Sequence, residues 1–157
     1  PLHMTEITTA KESDARKISK LKIKAISHAQ TSYTKKQIQA WKDFNTSKKE
    51  KKKIHSDDRT VYIAKQSQKI VGVAVLNDDQ VVTSVFVDPK YNREGIGSKL
   101  MSHIEEVAKK RGMGRLRLKA SLNAEEFYKK LGYEKKETKE SDLLGVPIPV
   151  IQFEKEF

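Results

Sequence analysis

The chain has 157 residues, and its 32 lysine and arginine residues outnumber its 21 aspartate and glutamate residues, which gives a formal net charge of +11. This length indicates one domain, and the charge favours an anionic partner such as nucleic acid, a phosphorylated cofactor or an acidic membrane surface. No cysteine is present, so disulfides, thiolate metal sites and a cysteine nucleophile are excluded.

The sequence shows no recognisable targeting or membrane segment. No apolar run approaches the ~18–20 residues of a membrane span, and no signal peptide opens the sequence. Pro1, Leu2 and His3 precede Met4 and are interpreted as a cloning remnant, so a single domain is expected over residues 4–157. We expect a cytoplasmic protein without a membrane partner, and we predict no metal site.

The first third of the chain predicts a short strand near residues 5–8 and two helices. The first helix is capped by Ser13 or Asp14, and its apolar face is formed by Ile18, Leu21, Ala25 and Ala29. Its other face is basic, with Arg16, Lys17, Lys20, Lys22 and Lys24. The second helix begins after Thr34 and carries Ile38, Trp41 and Phe44 on one face.

A lysine run follows at residues 48–53, broken only by Glu50. Runs of this kind are usually solvated loops or helix ends, and that is the prediction here. A binding patch for an anionic partner is the alternative.

The remaining residues alternate between strand and helix patterns. Strands are predicted at residues 61–64, 70–76, 81–87 and 115–120, with two more between Tyr133 and Phe157. One helix runs from the Gly95 and Gly97 region to about Arg111, and a short helix starts at Asn123. This order predicts an α/β fold in the α+β sense, a central mixed sheet flanked by about four helices.

The most informative segment connects the strand at residues 81–87 to the long helix. The first turn of a helix offers unpaired N–H groups and the positive end of the helix dipole, which together bind phosphate. Gly95 and Gly97 allow the backbone to approach an anion closely. The segment is neither a Rossmann fingerprint, because Leu100 occupies the third glycine position, nor a Walker A loop. A plain strand–helix connection is the alternative.

A second segment, Asn123 to Tyr133, contains Phe127-Tyr128 and Gly132-Tyr133. In this order and at this separation, the two segments resemble those of the Gcn5-related N-acetyltransferase (GNAT) family, and the resemblance covers the chain from about Met4. Within the family, three further segments are similar to small bacterial acetyltransferases of undefined substrate: Tyr33-Thr34 with Gln37 and Ala40-Trp41, residues 120–123, and residues 145–149.

The resemblance implies acetyl-coenzyme A (acetyl-CoA) as co-substrate. It assigns coenzyme binding to the strand residues Val85, Phe86 and Val87, to the loop residues Arg93, Glu94, Gly95, Ile96, Gly97 and Ser98, and to Asn123. Asn92 stands where the family usually has Gln or Arg, which puts a side-chain role at that position in doubt. For Asn123, a helix N-cap is the alternative or an additional role.

The resemblance also implies acetyl transfer to a primary amine of a small molecule or peptide, with Tyr128 as general acid. A phenol titrates near ~10 and is therefore protonated at neutral pH; a core aromatic beside Phe127 is the alternative reading. No general base is visible before the loop, so a water chain or His28 would take that role. The acceptor would contact His28, Tyr33 and Trp41, although Trp41 is as consistent with core packing.

Two other functions fit parts of the sequence. One is an acyl-CoA sensor that binds without catalysis. The other is a basic nucleic-acid-binding module, although the sequence contains no recognisable nucleic-acid-binding motif. The lysine-rich helix pair predicts an acceptor that is neutral overall or carries a carboxylate or phosphate. A homodimer is one state that the resemblance allows.

Overall fold

The computed structural model describes residues 4–28 and 32–157. Residues 1–3, which the sequence indicates to be a cloning remnant, lie outside the described residues. So does Ala29, which was predicted on the apolar face of the first helix. Seven strands form one sheet: β1 Glu6–Thr9, β2 Arg59–Gln66, β3 Lys69–Asn77, β4 Val81–Val87, β5 Arg115–Ala120, β6 Glu134–Leu143 and β7 Val146–Glu156. The strand order is β1-β2-β3-β4-β5-β7-β6. Among the described residues, only the central β4–β5 pair is parallel, so the predicted mixed sheet is confirmed.

The described residues contain five α-helices, one more than the approximate number predicted: α1 Ala15–Ser27, α2 Lys35–Phe44, α3 Ser47–His55, α4 Ile96–Lys110 and α5 Glu125–Lys130. Residues of β2 alternate between two hydrophobic clusters, as expected for a strand buried on both faces. Val61 and Ile63 pack with Ile18 and Leu21 of α1, whereas Tyr62 packs with the cluster that contains α4 and α5. The helices therefore cover both faces of the sheet.

The additional helix is α3, which contains the lysine run. Thr46 caps it by accepting a hydrogen bond from the Lys49 N–H, and Glu50 is buried within it. Residues 48–53 are thus helical, so the prediction of a loop was wrong, whereas Lys48, Lys51 and Lys52 are exposed to solvent as predicted. Long-range contact explains the difference, because Glu50 accepts a hydrogen bond from Lys22, 28 residues earlier.

The basic face predicted for α1 also needs a correction. Lys22 has 0% of its surface exposed, so it does not contribute to a solvated positive surface. Helical spacing places Lys22 four residues after Ile18, on the apolar side of α1, and Glu50 provides the partner that burial of its ammonium group requires.

The separation of β4 from β5 positions the candidate site. Their parallel pairing comprises Val81 with Arg117 and Val82 with Leu118, yet β4 continues to Val87 and β5 to Ala120. Beyond Val82, the β4 edge that faces β5 has no strand partner within residues 4–28 and 32–157. The backbone N–H and C=O groups that β4 directs to that edge beyond Val82 have no strand partner among the described residues and are therefore available to a ligand.

The opposite edge of β4 pairs with β3 and contains a β-bulge. Val73 pairs with Phe86, but Val75 pairs with Thr83, so Ser84 and Val85 together oppose Ala74. Ser84 has a φ of 56°, a left-handed conformation that is uncommon for serine and adds strain at a bulge. The bulge lies just beyond Val82, where the pairing of β4 with β5 ends.

No helix in the described part of the chain has both the length and the apolar character needed to cross a bilayer.

Candidate active site

A cavity of about 700 Å³ lies where β4 and β5 separate. Val81 to Val87 line one wall, and Leu118, Lys119 and Ala120 line the facing wall. Residues of α1 and α2, of α5 and of the β6–β7 hairpin complete the lining. The coenzyme-strand residues predicted from the sequence, Val85, Phe86 and Val87, are all part of this cavity. Its size is within the range of small-molecule sites.

The predicted phosphate loop lies just outside the cavity, at the end of β4. Pro89 and Asn92 line the cavity, and the loop residues Arg93 to Ser98 follow them along the chain. Arg93 and Gly95 both have positive φ angles, 68° and 76°, and Gly95 is the residue from which α4 starts. The Glu94 side chain is turned toward Gln66, whose Nε2 donates a hydrogen bond to Glu94 Oε1 at 3.2 Å.

Two close contacts of glycine hold the start of α4 in place. A Cβ at Gly72 would lie 2.9 Å from both Ile96 and Leu100, so only glycine in β3 allows α4 to approach the sheet this closely. A Cβ at Gly97 would lie 3.0 Å from the ring of Phe127. Gly97 therefore brings α4 against α5 as well as leaving its own amide uncovered, whereas a Cβ at Gly95 would contact nothing within 4 Å.

Tyr128 is buried in α5 and lines the cavity. Its ring packs against Phe127, Tyr133 and Phe153, with centroid separations of 4.9, 5.8 and 5.7 Å. The hydroxyl has no hydrogen-bond partner among the described residues. Burial raises the pKa of Tyr128 above its ordinary value, which keeps the phenol protonated at neutral pH.

Asn123 is exposed and lines the cavity from a short 3-10 turn between β5 and α5. It is not the N-cap of α5, because Ala124 holds that position and no side chain caps the helix. Its carboxamide is therefore not used in capping, which leaves it available to a ligand in the cavity.

The helical side of the cavity contains two of the three predicted acceptor residues. His28 ends α1 and is exposed, with Nδ1 3.0 Å from the Lys24 carbonyl oxygen, and Trp41 of α2 packs against Phe86 at 6.1 Å between ring centroids. Both line the cavity. Trp41 and Phe86 thus form an apolar wall next to the β4 bulge.

Tyr33 lies behind this wall and does not line the cavity. Its ring meets Trp41 edge-on at 5.3 Å. Its hydroxyl donates to the Pro149 carbonyl at 2.8 Å and accepts from the Leu122 N–H at 2.9 Å. Tyr33 therefore connects the start of α2 to β7 and to the turn after β5.

A buried charge cluster beside the cavity was missed by the sequence analysis. Lys22 Nζ lies 2.7 Å from Glu50 Oε1, and Lys53 Nζ lies 3.8 Å from Glu50 Oε2. Lys53 also donates to Ser84 Oγ at the β4 bulge, at 3.3 Å, and both residues line the cavity. The available signals were the single acidic residue in the lysine run and the position of Lys22 on the apolar side of α1.

Comparisons with known proteins agree with this geometry. The family model for the acetyltransferase (GNAT) domain matches residues 9–148. The fold is similar to that of a GCN5-related N-acetyltransferase from Rhodopseudomonas palustris, with a TM-score of 0.91, 23% identity and coverage of 100% of this chain and 99% of that chain. It is also similar to the PaiA N-acetyltransferase of Thermoplasma acidophilum in complex with coenzyme A, with a TM-score of 0.82, 18% identity and coverage of 98% and 99%.

Two curated proteins match parts of the chain. The uncharacterized N-acetyltransferase MJ1207 of Methanocaldococcus jannaschii is 42% identical over 59 residues, which are 36% of this chain and 26% of that protein. The chloroplastic GCN5-related N-acetyltransferase 2 of Arabidopsis thaliana is 30% identical over 73 residues, 44% of this chain and 28% of that protein. The matches span about a quarter of the length of these relatives. Because the acetyltransferase domain model covers most of the chain, the protein belongs to the GNAT acetyltransferase family.

Proposed function

We propose that this protein transfers the acetyl group of acetyl-CoA to a primary amine of a small molecule or peptide, with Tyr128 as the general acid. The observation that carries the proposal is the cavity between the separated strands β4 and β5, which joins an unpaired strand edge to the hydroxyl of a buried tyrosine. Complexes of similar folds with coenzyme A and with acetyl-CoA support the choice of co-substrate.

The residues around the cavity suit the parts of the coenzyme. The pantetheine arm carries amide groups that can pair with the free edge of β4 at Val85, Phe86 and Val87, as a short added strand would. Phosphate groups would meet the amides of the loop Arg93–Ser98 and the first turn of α4. Asn123, on the opposite side, would donate or accept a hydrogen bond along the arm.

The chemistry requires a neutral amine, an oriented thioester and a proton for the departing sulfur. Acetyl-CoA supplies the activated acyl group when bound. The amine nitrogen attacks the carbonyl carbon, a C–N bond forms and the C–S bond breaks. Tyr128 donates its hydroxyl proton to the sulfur, the amine gives up a proton to solvent, and solvent restores the proton of Tyr128. Binding both reactants in one cavity lowers the barrier by orientation.

Two measurements test the proposal. Acetyl-CoA should raise the melting temperature, because a ligand that binds only the folded state stabilises it by mass action. At a ligand concentration of 100 times Kd, the free energy of unfolding rises by ~2.7 kcal/mol. A screen of amines, amino acids and peptides, read as release of free thiol, should identify at least one acceptor. The proposal fails if acetyl-CoA does not shift the melting temperature. Binding without turnover on any amine would favour the acyl-CoA sensor instead.

A further inference from the structure

The charges inside the cavity are unbalanced. Among the described residues that line it, the lysines are Lys53 and Lys119, the one histidine is His28, and no aspartate or glutamate is present. Lys119 and His28 are exposed, whereas 17% of the Lys53 side chain is accessible. Screening by water is weaker around a half-buried charge, so Lys53 has the greatest influence on the ligands that this part of the cavity accepts.

The carboxylate of Glu50 is shared between Lys22 and Lys53. Glu50 Oε1 accepts a 2.7 Å hydrogen bond from the fully buried Lys22. Glu50 Oε2 is buried without a hydrogen-bond partner, because Lys53 Nζ stops 3.8 Å away. One carboxylate thus faces two lysine side chains, and Lys53, the one that reaches the cavity, makes only the longer of the two contacts with it.

A second hydrogen-bond donor lies next to Lys53. Its ammonium donates to Ser84 Oγ at 3.3 Å, which occupies a lone pair of the hydroxyl and leaves the hydroxyl hydrogen free to donate. The bulge in β4 brings Ser84 to this position. An ammonium and a hydroxyl 3.3 Å apart match the two oxygens of one carboxylate.

We propose that Lys53 and Ser84 bind a carboxylate of the acceptor, so that the preferred acceptors are amines that carry both a carboxylate and an apolar body. The apolar body would lie against Trp41 and Phe86, which form the adjacent wall. The single ammonium of Lys53 suits the single charge of a carboxylate better than the near-double charge of a phosphate monoester. This inference rests on the proposed acetyl transfer and specifies its substrate class.

The test uses ligands that cannot be acetylated, so that binding is separated from turnover. Isothermal titration with the protein saturated with coenzyme A compares 3-phenylpropionate, its uncharged amide 3-phenylpropanamide, and 2-phenylethyl phosphate. We expect the carboxylate to bind at least ~10-fold more tightly than the amide, as for one charge-assisted hydrogen bond. Lys53→Met and Ser84→Ala should remove most of this preference, Lys53→Arg should retain it, and Lys52→Met, an exposed control on the same helix, should leave it unchanged.

The outcomes separate this inference from the proposed function. If coenzyme A binds but the acid and the amide bind equally, the carboxylate site does not exist while acetyl transfer stands. Tighter binding of the phosphate ester than of the carboxylate would also overturn the inference, as would an unchanged preference in Lys53→Met. If Lys53→Met does not fold, the wild-type comparison together with Lys53→Arg and Ser84→Ala decides. Failure of coenzyme A to bind would instead contradict the proposed function.

Discussion

Lys22 Nζ lies 2.7 Å from Glu50 Oε1, and the two side chains are 0% and 1% exposed in the contact between α1 and α3. Removing two charges from water is expensive, and their attraction offsets the expense only when both partners are present. The pair therefore makes the packing of α1 on α3 dependent on two particular residues. Because Glu50 Oε2 also lies 3.8 Å from Lys53 Nζ, the Lys22–Glu50 pair influences how strongly the charge of Lys53 acts in the cavity.

Removing either partner should destabilise the fold, but not equally. At pH 6, below the lowered Lys22 pKa of about 7, Glu50→Gln leaves the buried ammonium of Lys22 without its carboxylate and should lower the free energy of unfolding by ~3–5 kcal/mol. Lys22→Met should cost less, because Glu50 can still pair with Lys53, 3.8 Å away. Urea denaturation measures both. Glu137→Gln, which breaks an exposed ion pair with Lys139, is the control and should change stability little. Equal losses in all three variants would contradict a special role for the buried pair.

The stability of the fold should rise with pH above neutrality. Burial, and then the charge of Lys53, lower the pKa of Lys22 from its ordinary 10.5 to about 7 despite the opposing effect of Glu50. Between pH values of about 7 and 10.5, the unfolded chain binds more protons than the folded chain, so the free energy of unfolding increases as pH rises. Urea denaturation at pH 7 and pH 9 should show the increase, and Lys22→Met should reduce it. A decrease with pH in the wild-type protein would show that Lys22 keeps its proton in the fold.

Most strands and the long helix follow from local sequence patterns. Residues 81–87 and 115–120 were predicted with the bounds observed for β4 and β5. The first is a run rich in β-branched residues, and the second alternates Leu116 and Leu118 with basic residues, and both patterns specify strands locally. The long helix α4 ends at Lys110, next to the predicted end near Arg111, and Gly112, with a φ of +78°, follows it. The coenzyme strand and loop could be proposed from the sequence since their residues are contiguous.

The acceptor side could not be predicted in the same way. Lys22, Glu50, Lys53 and Ser84 come from three elements separated by 28 to 31 residues, and only tertiary packing brings them together. Local patterns assign lysine to solvent, and that assignment failed for Lys22 because a distant carboxylate compensates its burial. Tyr33 also depends on long-range contacts that local patterns do not show, since the partners of its hydroxyl, Leu122 and Pro149, lie 89 and 116 residues away.

The phosphate loop can be tested with two glycines that share a conformation but not a location. Gly95 and Gly112 have φ angles of +76° and +78°, and an added Cβ would contact nothing within 4 Å at either. Alanine at each should lower stability by ~1–2 kcal/mol because of its left-handed backbone. Only Gly95→Ala should weaken coenzyme A binding, by ~10-fold if one amide–phosphate hydrogen bond is lost. Calorimetric titration of both variants measures this. Equal affinities would exclude Gly95 from the phosphate site.

Tyr33 should act through structure rather than through contact with the acceptor. Tyr33→Phe removes the hydroxyl that bridges the Pro149 carbonyl and the Leu122 N–H, and it should lower the free energy of unfolding by ~1–3 kcal/mol. Tyr91→Phe is the matched control, because the Tyr91 hydroxyl makes no hydrogen bond within the described part of the chain. Thermal denaturation compares the two. An increase in acceptor KM for Tyr33→Phe without loss of stability would instead support direct contact with the acceptor.

Tyr128→Phe separates catalysis from packing. The ring contacts with Phe127, Tyr133 and Phe153 survive the substitution, so coenzyme A affinity and stability should change little. If the hydroxyl protonates the departing sulfur, kcat should fall by ~10²-fold or more. Because burial raises the pKa of Tyr128, the wild-type rate should show no loss from its ionisation up to about pH 10.

The control for this substitution is Tyr133→Phe, in the same aromatic cluster. The Tyr133 hydroxyl donates to Glu105 Oε2 at 2.8 Å and does not line the cavity, so its removal should leave kcat close to that of the wild-type protein. Steady-state kinetics with a saturating amine acceptor measures both variants, and titration with coenzyme A measures binding. If Tyr128→Phe turns over as fast as Tyr133→Phe, the Tyr128 hydroxyl is not needed in the reaction and Tyr128 is a core aromatic. The proton for the departing sulfur must then come from solvent.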